Sequence, residues 1–143
     1  MNAIEKSLSD YFEERKDRYA FVLLFGSAAR GESHTLSDLD LGVYLHTPED
    51  LAALGYDIAQ LEGLVPRPVD VTPLNDLYRK DPLFAMEILK DHIPLMVNDQ
   101  RAYLRFRHLT QLYYLDHLPL FELNRRQLQR RIDEGRIGER NYA

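Results

Sequence analysis

The alternation of apolar and polar positions divides the first part of the chain into one helix and two strands. Apolar residues recur at helical spacing over residues 3–17, which predicts an amphipathic helix. The uninterrupted apolar run Ala20–Phe25 has the length of a buried strand, and it stops at Gly26. From Asp38 to Leu45 apolar and polar residues alternate, so this segment is predicted to be a strand with one buried face.

Cap and turn residues indicate the elements that follow. Thr47–Asp50 combines an N-cap threonine, a first-turn proline and two acids, which predicts a helix that ends at Gly63. Val69–Val71 is typical of a short third strand, and Asp81–Pro82 repeats the pattern of a cap followed by proline at a helix start. The short apolar run Ile93–Val97 comes after that helix.

The last third of the chain is predicted to contain two Arg-rich helices, one over about residues 99–114 and one beginning near Pro119. The order of elements favours an α/β (α+β) fold in which helices flank a small mixed sheet, with a helical C-terminal part. At 143 residues, without a repeat or a linker, the chain is expected to form a single domain over residues 1–143.

Composition excludes several kinds of site and indicates a compartment. The chain has no cysteine, which excludes disulfides, thiolate zinc sites and a cysteine nucleophile. No apolar run reaches the ~18 residues of a membrane span, and the N-terminus lacks the apolar core of a signal peptide. We therefore expect a cytoplasmic protein that does not associate with membranes.

The net charge of −5 conceals an uneven distribution of charge along the chain. Residues 1–100 carry 9 Lys and Arg against 18 Asp and Glu, whereas residues 101–143 carry 9 Arg against 5 acids. The acidic first part disfavours direct binding to nucleic acid, because it would repel the phosphate backbone. It also suggests that carboxylates are gathered to bind a metal.

Two short segments carry the candidate chemistry. Gly26 and Ser27 end a buried strand, where a residue without a Cβ lets the backbone approach a ligand and the turn can cradle phosphate oxygens. After ten intervening residues, Asp38 and Asp40 share one face of the next strand, with Cα atoms about 7 Å apart. That spacing suits Mg²⁺ ions that bridge to substrate phosphates, and Asp70 on the third strand could approach as a third ligand.

Each of these residues also has a simpler interpretation by itself. Gly26 and Ser27 could form an ordinary turn, Asp38 could cap the start of a strand, and Asp70 could be a solvated acid. Only their combination along the chain indicates a site.

The stretch GSAARGESHTLSDLDLGVY, which begins at Gly26, resembles the signature of the polymerase-β-like nucleotidyltransferase superfamily: Gly-Ser, a ten-residue spacer, then Asp-x-Asp. Essentially the whole chain resembles the minimal nucleotidyltransferases of the MNT type. Many of these are antitoxins that silence a HEPN-domain ribonuclease toxin by transferring AMP from ATP to one of its tyrosines. The resemblance implies a catalytic core over about residues 1–98 and an Arg-rich helical extension over about residues 99–143.

The resemblance also implies roles for individual residues. Asp38 and Asp40 would bind two Mg²⁺ ions, and Asp70 would complete one metal site and help to deprotonate the acceptor tyrosine, whose hydroxyl is a poor nucleophile until it loses its proton. The implied nucleotide-binding residues are Gly26, Ser27, Arg30 and Ser37, with Arg30 as a partner of the phosphates.

Two other functions stay open at this point. The chain could be a non-catalytic antitoxin that masks a toxin by binding alone, or a nucleotidyltransferase that modifies a small molecule of the aminoglycoside type. The second option is disfavoured, because such enzymes carry a larger second domain that encloses the substrate. A core this small is expected to borrow the other wall of its site from a partner.

The arginines at the end of the chain, six between Arg125 and Arg140, have three interpretations. They could form the solvated face of a terminal helix or, least favoured, bind nucleic acid. They could instead dock an acidic partner, with Tyr103, Tyr113 and Tyr114 as anchors, since Arg and Tyr are enriched at the centres of interfaces.

Overall fold

A computed structural model describes residues 1–32 and 37–135 of the chain. Over these residues the chain forms six helices and four strands. In chain order they are α1 (Ala3–Glu13), β1 (Tyr19–Phe25), α2 (Gly26–Ala29), β2 (Leu39–Leu45), α3 (Leu51–Leu64), β3 (Val69–Pro73), α4 (Leu77–Lys80), α5 (Pro82–Lys90), β4 (Ile93–Val97) and α6 (Gln100–Asp133).

The strands form one four-stranded mixed sheet in the order β3-β2-β1-β4. β1 pairs antiparallel with β2 and with β4, while β2 and β3 run parallel. β1 lies inside the sheet, and its continuous apolar sequence fits that position, because both of its faces are covered. The predicted small mixed sheet is confirmed.

Helices pack on both faces of the sheet and divide the apolar core into two layers. On one face, Leu8 of α1 and Leu61 of α3 pack with Leu41 of β2. On the other face, Ile88 of α5 and Phe106 of α6 pack with Phe21 of β1. The predicted sheet flanked by helices, with a helical C-terminal part, is therefore confirmed.

A buried carboxylate joins the first of these layers. Asp57 of α3 is fully buried and accepts hydrogen bonds from the Tyr11 hydroxyl at 2.8 Å, the Arg18 guanidinium at 2.8 Å and the Tyr19 hydroxyl at 2.5 Å. Nε of Arg15 lies 3.4 Å from the same carboxylate. Burial and the hydrogen bond to Asp57 raise the pKa of Tyr11 to about 12. This cluster links α1, the turn after it, β1 and α3.

The bounds of two helices differ from the predicted ones. α1 ends at Glu13 rather than near residue 17, because the chain turns there and directs Arg15 and Arg18 to the buried carboxylate. Thr47 does not cap α3: residues 47–50 form a turn, and the N-cap is Asp50, whose side chain accepts from the amide of Ala53. Gly63 lies inside α3, on an exposed face, so it does not end the helix.

The prediction of two C-terminal helices is wrong. α6 is one helix of 34 residues that continues through Pro119. Proline removes the amide that would bond to the carbonyl of Leu115. Both residues are exposed, so water can satisfy that carbonyl and the interruption does not end the helix. The short helix α4 was not predicted either.

No helix within residues 1–32 and 37–135 is both long and apolar enough to cross a membrane.

The cluster around Asp57 generates a prediction about stability. Asp57→Asn should lower the free energy of unfolding by roughly 3 kcal/mol, because it leaves two arginines facing a neutral group in a buried setting. Denaturant unfolding measures this change. Glu62→Gln removes the same charge from an exposed position of the same helix and should leave the midpoint nearly unchanged. Equal midpoints for the two variants would contradict a stabilising role for the cluster.

Candidate active site

The end of β1 places a glycine directly against a carboxylate. Phe25, the last residue of β1, lies opposite Asp40 of β2 in the antiparallel pair. Gly26 follows with a φ of +72°, a left-handed conformation that residues with a side chain rarely adopt. A Cβ built on Gly26 would overlap an oxygen of Asp40 and lie 3.3 Å from its Cγ. The backbone conformation therefore favours glycine at this position, and any side chain there would have to displace the Asp40 carboxylate.

The three predicted aspartates come to the same end of the sheet. Asp40 and Asp70 are register partners on the parallel strands β2 and β3, and neighbouring strands lie about 4.8 Å apart. Asp38 stands immediately before β2, which begins at Leu39 rather than at Asp38. Asp38 and Asp70 are exposed, while Asp40 is partly buried. The structure thus brings the predicted carboxylates together on adjacent strand ends.

This proximity has an electrostatic consequence. Burial raises the pKa of the Asp40 carboxyl above its usual range, and the negative charges of Asp70 and Asp38 raise it further. The Arg30 guanidinium acts in the opposite direction, so it also lies within electrostatic range of Asp40. No hydrogen bond or ion pair joins the Asp40 side chain to another residue in the described part of the chain. A bound cation would relieve this repulsion.

The predicted phosphate-binding turn forms the short helix α2. Ser27 is its second residue, and no side chain caps the start of the helix. Because the first amides of a helix have no partner within it, they remain donors that can face an anion. Arg30 follows directly after α2 and pairs with Glu32 at 3.1 Å and with Asp91 at 4.0 Å. These ion pairs hold the Arg30 side chain at the edge of the site.

Ser37 meets a residue that the sequence analysis missed. The backbone carbonyl of Ser37 accepts a hydrogen bond of 2.9 Å from Nε of Arg67. Arg67 lies two residues before β3, and its Nη2 atom is buried without a partner among the described residues. Its contact fixes the backbone next to Asp38. The sequence offers only a Pro-Arg-Pro segment there, which gives no indication of this bond across the sheet.

The donor set fits Mg²⁺ in its chemistry. No group of three or more His, Asp or Glu side chains within the described ranges is arranged to hold an ion by itself. Mg²⁺ is usually bound through one or two carboxylates, with the other positions taken by water and substrate phosphates. Asp40, crowded by two other carboxylates, is the group here that a hard cation would stabilise most.

Comparison with known proteins agrees with this arrangement. The family model described as "Polymerase beta, Nucleotidyltransferase" matches residues 6–101. No curated protein matches the sequence.

Three solved structures are similar over nearly their whole length. One, a toxin–antitoxin with AMP-PNP, is 18% identical with a TM-score of 0.58, covering 91% of this chain and 96% of its own. A second, from the toxin–antitoxin MntA-HepT, is 15% identical with a TM-score of 0.52, covering 92% and 95%. The third comes from a complex of the tri-AMPylated Shewanella oneidensis HEPN toxin with an MNT antitoxin. The matched chain is 15% identical with a TM-score of 0.54, and the match covers 92% of this chain and 94% of that one. At these identities the likeness establishes a shared fold.

Two glycines provide a controlled test of the contact with Asp40. Gly31 has the same φ of +72°, but no described atom lies within 4 Å of a Cβ built there. Gly31→Ala should cost about 1 kcal/mol through backbone strain alone. Gly26→Ala should cost clearly more and displace the Asp40 side chain, as measured by denaturant unfolding and by a crystal structure of the variant. Equal losses of stability would contradict the close approach of Gly26 to the carboxylate.

Proposed function

Because this chain belongs to the polymerase β nucleotidyltransferase family, whose model spans two thirds of it, we propose that it transfers AMP from ATP to a tyrosine of a HEPN-domain toxin and so acts as an antitoxin. The observation that carries this proposal is the contact of Gly26 with Asp40, with Asp70 beside it and Asp38 one residue before the strand. A turn suited to phosphate thereby adjoins a group of carboxylates suited to Mg²⁺.

The residues around the turn would bind the nucleotide. The amides at the start of α2 and the Ser27 hydroxyl are donors for phosphate oxygens, and Gly26 leaves room for the phosphates to approach the carboxylates. Arg30 would exchange its exposed pairs with Glu32 and Asp91 for a phosphate, which accepts two parallel hydrogen bonds from a guanidinium. Ser37, held by Arg67, would line the same side.

The carboxylates would organise the transfer. Asp38, Asp40 and Asp70 would hold Mg²⁺, which supplies positive charge to the triphosphate and to the departing diphosphate. The acceptor tyrosine oxygen forms a bond to the α-phosphorus of ATP while the bond from that phosphorus to the bridging oxygen breaks, and diphosphate leaves. Asp70, exposed at the edge of the group, would accept the hydroxyl proton.

The openness of the site supports a protein as the acceptor. Asp38, Asp70 and Arg30 are exposed, and the described part of the chain has no second domain that encloses them. A small substrate would be held by few contacts, whereas a protein partner can supply the missing wall. The similar structures with AMP-PNP and with an AMPylated toxin support the same choice of donor and acceptor.

The proposed reaction predicts a change of mass in the partner. Incubation with ATP, Mg²⁺ and the unmodified product of the gene adjacent to that of this chain should raise the mass of that product by one or more AMP units, as measured by intact-mass spectrometry. Omission of Mg²⁺ should abolish the change. An unaltered mass with the wild-type chain would refute the proposal.

A second prediction separates catalysis from masking. The double variant Asp38→Asn with Asp40→Asn should lose the transfer and fail to protect cells that express the toxin, because the carboxylates that hold Mg²⁺ are gone. Asp10→Asn, an exposed change on α1, serves as the matched control and should protect fully. Full protection by the double variant would instead favour an antitoxin that acts by binding alone.

A further inference from the structure

The buried residues of α6 all lie in its first half. Thr110 is the last buried residue of the helix, and Tyr113 packs edge-on against Tyr78 of α4 with ring centroids 5.1 Å apart. Farther along, the ring of His117 stacks on Tyr113, and Gln129 donates to Asp133, so these contacts stay within the helix. We call residues 114–133 the arm; at 1.5 Å per residue it is about 30 Å long.

The arm carries large aliphatic side chains that are about half exposed. Their exposed fractions are 60% for Leu115, 52% for Leu120, 50% for Leu123, 51% for Leu128 and 44% for Ile132. An isolated helix of this length is only marginally stable in water, since most helices owe their stability to packing of one face. Leu120 and Leu123, three residues apart, lie on one side of the helix, and exposed aliphatic side chains at that spacing are typical of a protein-binding element.

The charges on the arm indicate the kind of partner. Four arginines, at positions 125, 126, 130 and 131, fall within a segment of seven residues that holds no acid, while the three acids of the arm, Asp116, Glu122 and Asp133, lie outside that segment. The side chains of Arg125 and Arg130 are 74% and 68% exposed even though each pairs with a nearby glutamate. This positive excess complements an acidic surface. Pairing of the arms of two copies would bring the same arginines together, and interleaved leucines are poorly suited to a nucleic-acid backbone.

We propose that the arm is the docking element through which this chain holds its HEPN-domain partner, with the leucines in an apolar groove whose rim is acidic. The identity of the partner rests on the proposed function, but docking and transfer use different residues. The tyrosines proposed as anchors need one correction: Tyr103 is buried in the core, and its hydroxyl lies 2.6 Å from Nε2 of His92, so it cannot contact a partner.

Binding measurements with matched variants test the arm. Leu120→Ser with Leu123→Ser should weaken the affinity for the purified HEPN-domain protein at least tenfold by calorimetry, because truncation removes apolar contacts from the centre of the interface. Leu51→Ser with Leu64→Ser is the control, since these leucines are 62% and 46% exposed but lie on α3. The control should bind as the wild type does. Equal affinity for both double variants would overturn the proposal.

A charge reversal gives an independent measurement. Arg125→Glu with Arg126→Glu should slow association with the HEPN-domain protein and weaken its dependence on salt, because an acidic rim would repel the new charges. Neither arm variant touches the buried core, so their unfolding midpoints should match the wild type. Association that is unchanged or faster would contradict an acidic partner surface. A wild-type chain that self-associates through the arm in light scattering would assign the surface to a second copy instead.

Failure of docking and failure of the proposed reaction give different results. The variant Asp38→Asn with Asp40→Asn should bind the partner within about twofold of the wild type yet transfer no AMP. If the wild type binds through the arm but modifies nothing, the docking proposal stands and the proposed transferase function fails. If the variant with the arm leucines replaced transfers AMP normally and binds the partner with unchanged affinity, the transferase function stands and the docking proposal fails.

Discussion

The register between β1 and β2 decides where the chemistry of this molecule lies. It sets Phe25 opposite Asp40, so the turn that follows meets a carboxylate. A slip of one residue would send Asp40 to the opposite face of the sheet and leave Gly26 without its neighbour. The parallel pairing of β2 with β3 then brings Asp70 alongside. The buried apolar faces of these strands maintain the register, so the packing of the core also fixes the position of the site.

Much of this arrangement could be predicted from the sequence, because it depends on local periodicity. The alternation of apolar and polar residues after Asp38 can be recognised without any tertiary information, and it assigns Asp40 to the face opposite the buried leucines. The apolar run before Gly26 predicts a central strand by its continuity alone. The fold class and the resemblance to polymerase-β-like nucleotidyltransferases are confirmed. The roles of the individual site residues remain predictions.

The features that were missed depend on partners distant in sequence or on solvent. From the sequence alone Asp57 would be taken for a surface acid of α3, and only the fold places the hydroxyls of Tyr11 and Tyr19 against it. The contact of Arg67 with Ser37 forms only when β3 lies beside β2. Pro119 normally indicates the end of a helix, but on an exposed helix the lost hydrogen bond can be replaced by water. In each case the local pattern alone did not determine the outcome, because the surroundings did.

The two outer strands of the sheet have a further consequence for assembly. β3 ends at Pro73 and β4 contains Pro94, so each edge holds a residue that cannot donate a backbone hydrogen bond. β4 also joins β1 through a register shift between Val22 and Leu23. Edges interrupted in this way resist the addition of a further strand, and they protect the chain from edge-to-edge aggregation. Assembly with other proteins is thereby directed away from strand exchange and toward the helical surfaces.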